Sequence, residues 1–326
     1  MDAKRLEFID IAKAFAMLLV IIGHSIHEGL ILNCIYSFHM PLFFFVSGYF
    51  FRKRSFVSLF QRNMSHLFLP YVITALIRLT ANLMVGLLGH GWTEFFDCAF
   101  ATLYCCGKRV EYGSFYIPSC GAIWFLPALS FATIVVNWAL LTSYPTAVVL
   151  VVSFFSWLSA QYFILPFGVQ AGGFASLFVY AGMQERTRLL FLKRMDESKG
   201  LSALLAAGWI TCALRGGLFE MVSLQAPILP VNILGAFCGT YTVLNLCEHL
   251  SAMNFAICSW LGRFGQNTLI VLCTHLLEMK IFPWRHIPGL LGDHASSFPS
   301  FVAIVSIRIL IACSAIVLCE RSKVLR

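Results

Sequence analysis

Charge is what this sequence lacks. Asp, Glu, Lys and Arg make up 12% of its 326 residues, about half the ~25% usual in soluble domains. Hydrophobic residues make up 59%, and mean hydropathy is +0.82. No soluble fold of this length hides that much apolar surface from water. A soluble enzyme, a disordered tail and a nucleic-acid module are therefore excluded. CxxC pairs are also missing. The twelve cysteines lie mostly in apolar runs, where Cys behaves as a small hydrophobe, so neither a zinc site nor a disulfide framework is indicated. No internal repeat is visible, which disfavours an inverted-repeat transporter. A cleavable signal is not expected: Glu7 and Asp10 interrupt its lead-in, and the apolar run beyond them is too long.

Long apolar runs are what remains, and a helix needs ~20 such residues to cross a bilayer. Ten segments are read, near 7–28, 31–51, 66–88, 122–142, 145–165, 167–184, 200–214, 226–246, 266–284 and 299–319. The stretch 94–106 reads as an interfacial helix. Lys and Arg set the orientation. Lys4 and Arg5 precede the first segment. Arg52, Lys53, Arg54 and Arg62 follow the second. Arg186, Arg188, Lys193, Arg194 and Lys199 follow the sixth, and Arg321, Lys323 and Arg326 follow the tenth. With ten spans all four clusters share one face, which the positive-inside rule makes the cytoplasm. Lys108 and Arg109, in loop 90–121, are the exception. The expectation is a single all-α domain over 1–326, a polytopic membrane helix bundle of about ten transmembrane helices with both termini inside. Loops 90–121, 215–225 and 285–298 then face outward.

Ionisable residues inside spans carry the functional information, because each costs ~2.5–3.5 kcal/mol at mid-helix on insertion scales. The first span holds Asp10, Lys13 and His24. Eleven steps of 100° bring Lys13 and His24 onto one face, ~16 Å apart at 1.5 Å per residue. Asp10 lies on nearly the same face. Two readings stand for Asp10 and Lys13: a functional stripe, or side chains snorkelling into the inner headgroup layer. His24 lies deeper, after Gly23, as a reactive group or as a hydrogen bonder between helices. On the ninth span His275 and Glu278 share a face. Arg78 and Arg308 lie mid-span in the third and tenth. Each either contacts a ligand or packs against a carboxylate such as Glu278 or Asp10. A metal held by His24, His39 and His275 has only weak support, and no metal is expected.

Span two reads Phe38-His39-Met40-Pro41-Leu42-Phe43-Phe44-Phe45, then Ser47-Gly48-Tyr49. Pro41 removes a backbone donor, and Ser47-Gly48 permits close helix approach. This stretch, the Lys13-x10-His24 spacing and Leu69-Pro70-Tyr71 together resemble the acyltransferase-3 family of integral-membrane O-acyltransferases. Weaker echoes are Trp124-Phe125-Leu126 and Gly265-Gln266-Asn267-Thr268-Leu269, leading to His275. One departure stands out. The family usually carries an arginine pair or a basic residue just before Leu-Pro-Tyr, whereas here Arg62 lies further upstream and His66 is nearer.

The resemblance implies ten spans with both termini inside and transfer of an acyl group, most often acetyl, from cytoplasmic acyl-CoA. The acceptor implied is a hydroxyl of a surface polysaccharide or its lipid-linked precursor, in a bacterial cytoplasmic membrane. Acyl-CoA is then a co-substrate, with no bound cofactor. Acyl transfer to a hydroxyl needs a base or a nucleophile, and histidine supplies either near neutral pH. His24 is expected in that role, with Lys13 and Asp10 positioning the donor side. His39, Arg78, Arg308, Trp124 and His275 are expected to bind substrate, and Arg62 and His66 to hold the donor at the cytoplasmic mouth. The rival reading is a small-molecule transporter or channel using intramembrane His and Arg.

Overall fold

The computed structural model describes residues 4–25, 29–112, 115–188, 192–253, 255–282, 284 and 298–322. Most of loop 285–298, with Lys323 and Arg326, lies outside these residues, as do the side chains of Lys4, Arg5, Arg188 and Lys193.

Helix dominates. The α-helices are α1 (Lys4–Gly23), α2 (Leu30–Tyr49), α3 (Phe56–Asn63), α4 (Leu69–Val85), α5 (Thr93–Tyr104), α6 (Phe125–Ala139), α7 (Pro145–Ala160), α8 (Val169–Arg188), α9 (Leu192–Glu197), α10 (Lys199–Arg215), α11 (Leu229–Ala252), α12 (Ala256–Gln266), α13 (Thr268–Ile281) and α14 (Phe298–Ser322). The sheet among the described residues is one antiparallel hairpin, β1 (Val110–Tyr112) with β2 (Phe115–Ile117), pairing Val110 with Ile117. Each of the ten apolar segments holds a helix, and α5 covers most of the stretch read as interfacial. Among the described residues five helical runs are long and apolar enough to cross a membrane: Leu30–Tyr49, Phe56–Gly89, Gly121–Ala139, Leu229–Ala252 and Phe298–Arg321. The chain is thus an all-α bundle of membrane type.

Three local departures from the sequence reading shape the site. The first helix stops at Gly23, and His24 comes next in a turn, its N–H donating to the Val20 carbonyl at 3.0 Å. The third segment carries a π turn, Met64–Phe68, just before Pro70, which has no N–H to give to a regular ladder. A helix outside the ten segments, α12, precedes the ninth: Asn267 leaves helical geometry between α12 and α13, and its side chain donates to the Arg263 carbonyl at 2.9 Å. Pro41 lies inside α2, which continues through it.

The bundle is built around α2, which packs on α1, α8, α10 and α11. Its contact with α8 is backbone to backbone. Gly48 lies against the Val179 carbonyl, and Gly182 of α8 lies against the Phe45 carbonyl, so a Cβ at either position would overlap the opposing main chain. Small residues bring helices this close where lipid offers no hydrophobic drive between them. On the other side, α1 packs on α12, α13 and α14. The face shared by α1 and α2 is thereby fixed between two groups of helices. Gly48→Ala should cost at least the ~1–3 kcal/mol usual for overpacking, read as a lower unfolding temperature in detergent. An unchanged temperature would show that the α2–α8 contact is loose.

Candidate active site

One face of α1 and one of α2 enclose a cavity of about 480 Å³, within the ~300–1,000 Å³ typical of small-molecule sites. Lys13 marks one end. His24, Tyr36, His39, Lys108 and Glu220 mark the other. Between them the wall is apolar, with Met17 and Val20 from α1, Phe43 from α2 and Leu269 and Leu272 from α13. Of the stripe read from the periodicity of α1, Lys13 and His24 line this space, and Asp10 does not.

At the His24 end, four ionisable side chains from three different parts of the chain are in series. His275 Nδ1 is 2.6 Å from Glu278 Oε1, one turn along α13. Its other nitrogen, Nε2, is 3.1 Å from His24 Nδ1. The two rings lie 5.2 Å apart between centroids, 21° from parallel. Arg308 of α14 completes the series: its Nε is 3.6 Å from Glu278 Oε1, its Nη1 donates to Ser25 Oγ at 2.9 Å, and its guanidinium lies over the Trp284 ring. His275, Glu278 and Arg308 are all buried.

The series dictates tautomers. An ionised Glu278 only accepts, so His275 Nδ1 carries the hydrogen. In a neutral His275 ring, Nε2 is then the acceptor, and His24 Nδ1 must be the donor. That leaves the lone pair of a neutral His24 on Nε2, the nitrogen not engaged by His275. Such an arrangement fixes which nitrogen of His24 takes up a proton. The Met279 sulfur, 3.2 Å from His24 Nδ1, packs beside it.

His39 is oriented independently. Its Nδ1–H donates to the Ile35 carbonyl at 2.7 Å, which leaves Nε2 as the acceptor, and the Tyr36 ring meets its edge. At the Lys13 end, Asp10 lies 2.7 Å from the ammonium and accepts from Gln266 Nε2 at 3.2 Å. Asp10 itself does not line the cavity; it touches Lys13, which does. Trp124 ends the short helix Gly121–Trp124, which reaches the same wall.

The structure brings Lys13, His24, His39 and Trp124 onto one cavity, with His275 directly behind His24. It places the two arginines elsewhere. Arg308 pairs with Glu278, which is the packing arrangement. Arg78 points to loop 90–121 and donates to the carbonyls of Ser119 (3.4 Å) and Cys120 (3.2 Å). Both were expected to bind substrate, yet a buried guanidinium needs partners within the protein, and neither lines the cavity. Arg62 and His66 are exposed on α3 and the π turn, beside Leu67, which does line it. Sequence reasoning missed the ion pair at the His24 end of the cavity, where Lys108 Nζ lies 2.5 Å from Glu220 Oε2 across 112 residues of chain. The signal was Lys108 itself, the cation that the positive-inside reading left as an exception.

The family model described as an acyltransferase domain, that of acyltransferase-3, matches residues 6–318, essentially the whole chain. No curated protein and no solved structure matches.

Removing one partner of a buried ion pair strands the other, at ~3–5 kcal/mol. Arg308→Met should therefore lower the unfolding temperature in detergent more than the double variant Arg308→Met/Glu278→Gln, which leaves no charge stranded. Equal losses would show that the pair does not hold α13 to α14.

Proposed function

Since the chain belongs to the acyltransferase-3 family, we propose that this membrane acyltransferase moves an acyl group, acetyl in the first place, from cytoplasmic acyl-CoA to a hydroxyl of a surface polysaccharide or lipid-linked sugar. The bilayer is the bacterial cytoplasmic membrane, crossed ten times with both termini inside. The observation that carries this reading is the series His24–His275–Glu278 at the end of a cavity whose other end is Lys13.

The acyl thioester enters past Lys13, beside the basic face of Arg62 and His66, and extends along the apolar wall. The acceptor hydroxyl arrives at the outer mouth, between His24 and the Lys108–Glu220 pair. His24 Nε2 takes the hydroxyl proton as the oxygen attacks the thioester carbonyl. The tetrahedral intermediate collapses, the carbon–sulfur bond breaks, and the CoA thiolate recovers a proton from the His24 imidazolium. While His24 is charged, its Nδ1–H donates to His275, and Glu278 stabilises the pair. His39, Tyr36 and Trp124 hold the acceptor sugar. His24 acts as base in this scheme. An acyl group trapped on His24 in the absence of acceptor would make it the nucleophile instead.

His24→Ala should reduce acylation of surface glycans, read by mass spectrometry, by the ~10²–10⁴-fold that general-base help commonly supplies, with no loss of protein from the membrane. His24→Asn keeps a hydrogen bond but takes up no proton near neutral pH, and should be as inactive. Near-normal acylation by His24→Asn would reduce His24 to a structural hydrogen bonder and return the chemistry to His39.

The topology is tested separately. A single added cysteine in the hairpin Val110–Ile117 should react with an impermeant reagent from outside, and one beside Lys199 only after permeabilisation. The reverse pattern would place the acyl-CoA mouth on the wrong face.

A further inference from the structure

Loop 90–121 holds four buried cysteines that the proposed chemistry does not use: Cys98 within α5, and Cys105, Cys106 and Cys120 beyond it. Cys105 ends α5 in the left-handed region, at φ 66°. Cys120 opens the turn into the short helix Gly121–Trp124. Between them runs the β1–β2 hairpin, so the two residues close the base of this excursion. The closure is held by the backbone, Cys120 N–H donating to the Cys106 carbonyl at 2.7 Å. Cys105 and Cys120 belong to one buried apolar cluster with Tyr71, and the backbone bond at the neck brings Cys120 next to the Cys105–Cys106 pair. The Cys106 thiol donates to the Lys108 carbonyl at 3.0 Å.

Three thiols so placed suggest a metal or a disulfide. Among the described residues no group of three or more His, Cys, Asp and Glu side chains is arranged to hold an ion. The sequence around them shows no CxxC spacing. With the Cys106 thiol engaged by the Lys108 carbonyl, Cys105 and Cys120 are the buried pair left at the neck of a loop facing an oxidising compartment, the setting in which disulfides form and persist.

We propose that Cys105 and Cys120 form a disulfide in the mature protein. The reaction is thiol–disulfide exchange with a protein or small-molecule disulfide, RSSR. One cysteine thiolate attacks RSSR and releases one RSH. The second attacks the mixed disulfide and releases another. The two cysteine thiols lose two hydrogens in total, the oxidant gains them, and one S–S bond replaces another. Both sulfurs are covered once the loop packs, so the bond forms as the loop folds and is shielded from reductant afterwards. The bond ties α5 to Gly121–Trp124 and so fixes the cavity wall that carries Trp124, with Lys108 held inside the closed loop. This inference rests on the outward placement of loop 90–121 and not on acyl transfer.

The test is made on the full-length protein in its membrane. Thiols are blocked by alkylation under denaturing conditions at lysis, and the protein is cut with chymotrypsin without reductant. Residues 105–112 and 117–124 should be recovered as one linked species, lighter by two hydrogens than the sum of the two peptides. Reductant should separate them, but on the folded protein only after denaturation. The link should persist in Cys106→Ser and be lost in Cys105→Ser. Cys247 and Cys258, a second close pair at the cytoplasmic ends of α11 and α12, should be alkylated throughout and serve as the control. Alkylation of both Cys105 and Cys120 in every molecule, with the hairpin labelled from outside, overturns the proposal. The same alkylation with the hairpin labelled only after permeabilisation overturns the topology, and the disulfide with it. A link that persists in Cys105→Ser and vanishes in Cys106→Ser would assign the bond to Cys106 and overturn the pairing.

Discussion

A carboxylate inside an apolar bundle has to be paired, and Glu278 is the one around which this site is arranged. Removing an ion from water costs several kcal/mol even after relaxation. Glu278 meets that cost with a hydrogen bond from His275 and the nearby Arg308 guanidinium. Each partner brings something with it. Arg308 fixes α14 and, through Ser25, the turn that ends α1. His275 fixes the tautomer of His24. The position of one nitrogen at the cavity end is therefore set by a charge one residue removed from it.

Close packing of α2 supplies the second constraint. Gly48 and Gly182 let the α2 and α8 main chains touch, so α2 has little freedom to rotate, and His39, Phe43 and Ser47 stay on the cavity side. Backbone rigidity on one side and an ionic network on the other define a space whose reactive end is set by polar contacts and whose length is set by apolar walls. Neither would suffice alone, since a 3.1 Å contact between two imidazoles depends on the placement of two helices far apart in sequence.

Much of this was legible in the sequence wherever geometry is local. The 100° step per residue put Asp10, Lys13 and His24 on one stripe, and spacing of three put His275 beside Glu278. Composition and run length gave the membrane-type bundle, and the motifs of the first two spans gave the family. What escaped was every contact that depends on tertiary structure. The ion pair of Lys108 with Glu220 joins two loops, and no periodicity connects them. Arg78 was readable as a costly buried cation but not as a ligand of the Ser119 and Cys120 carbonyls, because main-chain acceptors carry no sequence signature. For Arg308 the sequence offered two kinds of partner, and the choice depended on which helix lay opposite. Helix α12 went unread because its 11 residues are too few to span a bilayer and Ser259, Arg263 and Gln266 interrupt them.

The distribution of polarity along the cavity bears on how the proposed reaction separates its two compartments. Ion pairs stand at the ends, Asp10 with Lys13 and Lys108 with Glu220, and the middle is lined by Met, Val, Phe and Leu. A free carboxylate or a hydrated ion crossing that middle would lose its solvation with nothing to replace it. A neutral thioester arm would not, since its acyl end carries no charge and its length is extended rather than bulky. On the proposed reading the same apolar stretch therefore does two things. It admits the activated acyl group to His24, and it keeps water from hydrolysing the thioester before an acceptor hydroxyl arrives. The polar group that must meet both substrates is then confined to the outer end, where Glu278 and Arg308 already supply the charges that hold it.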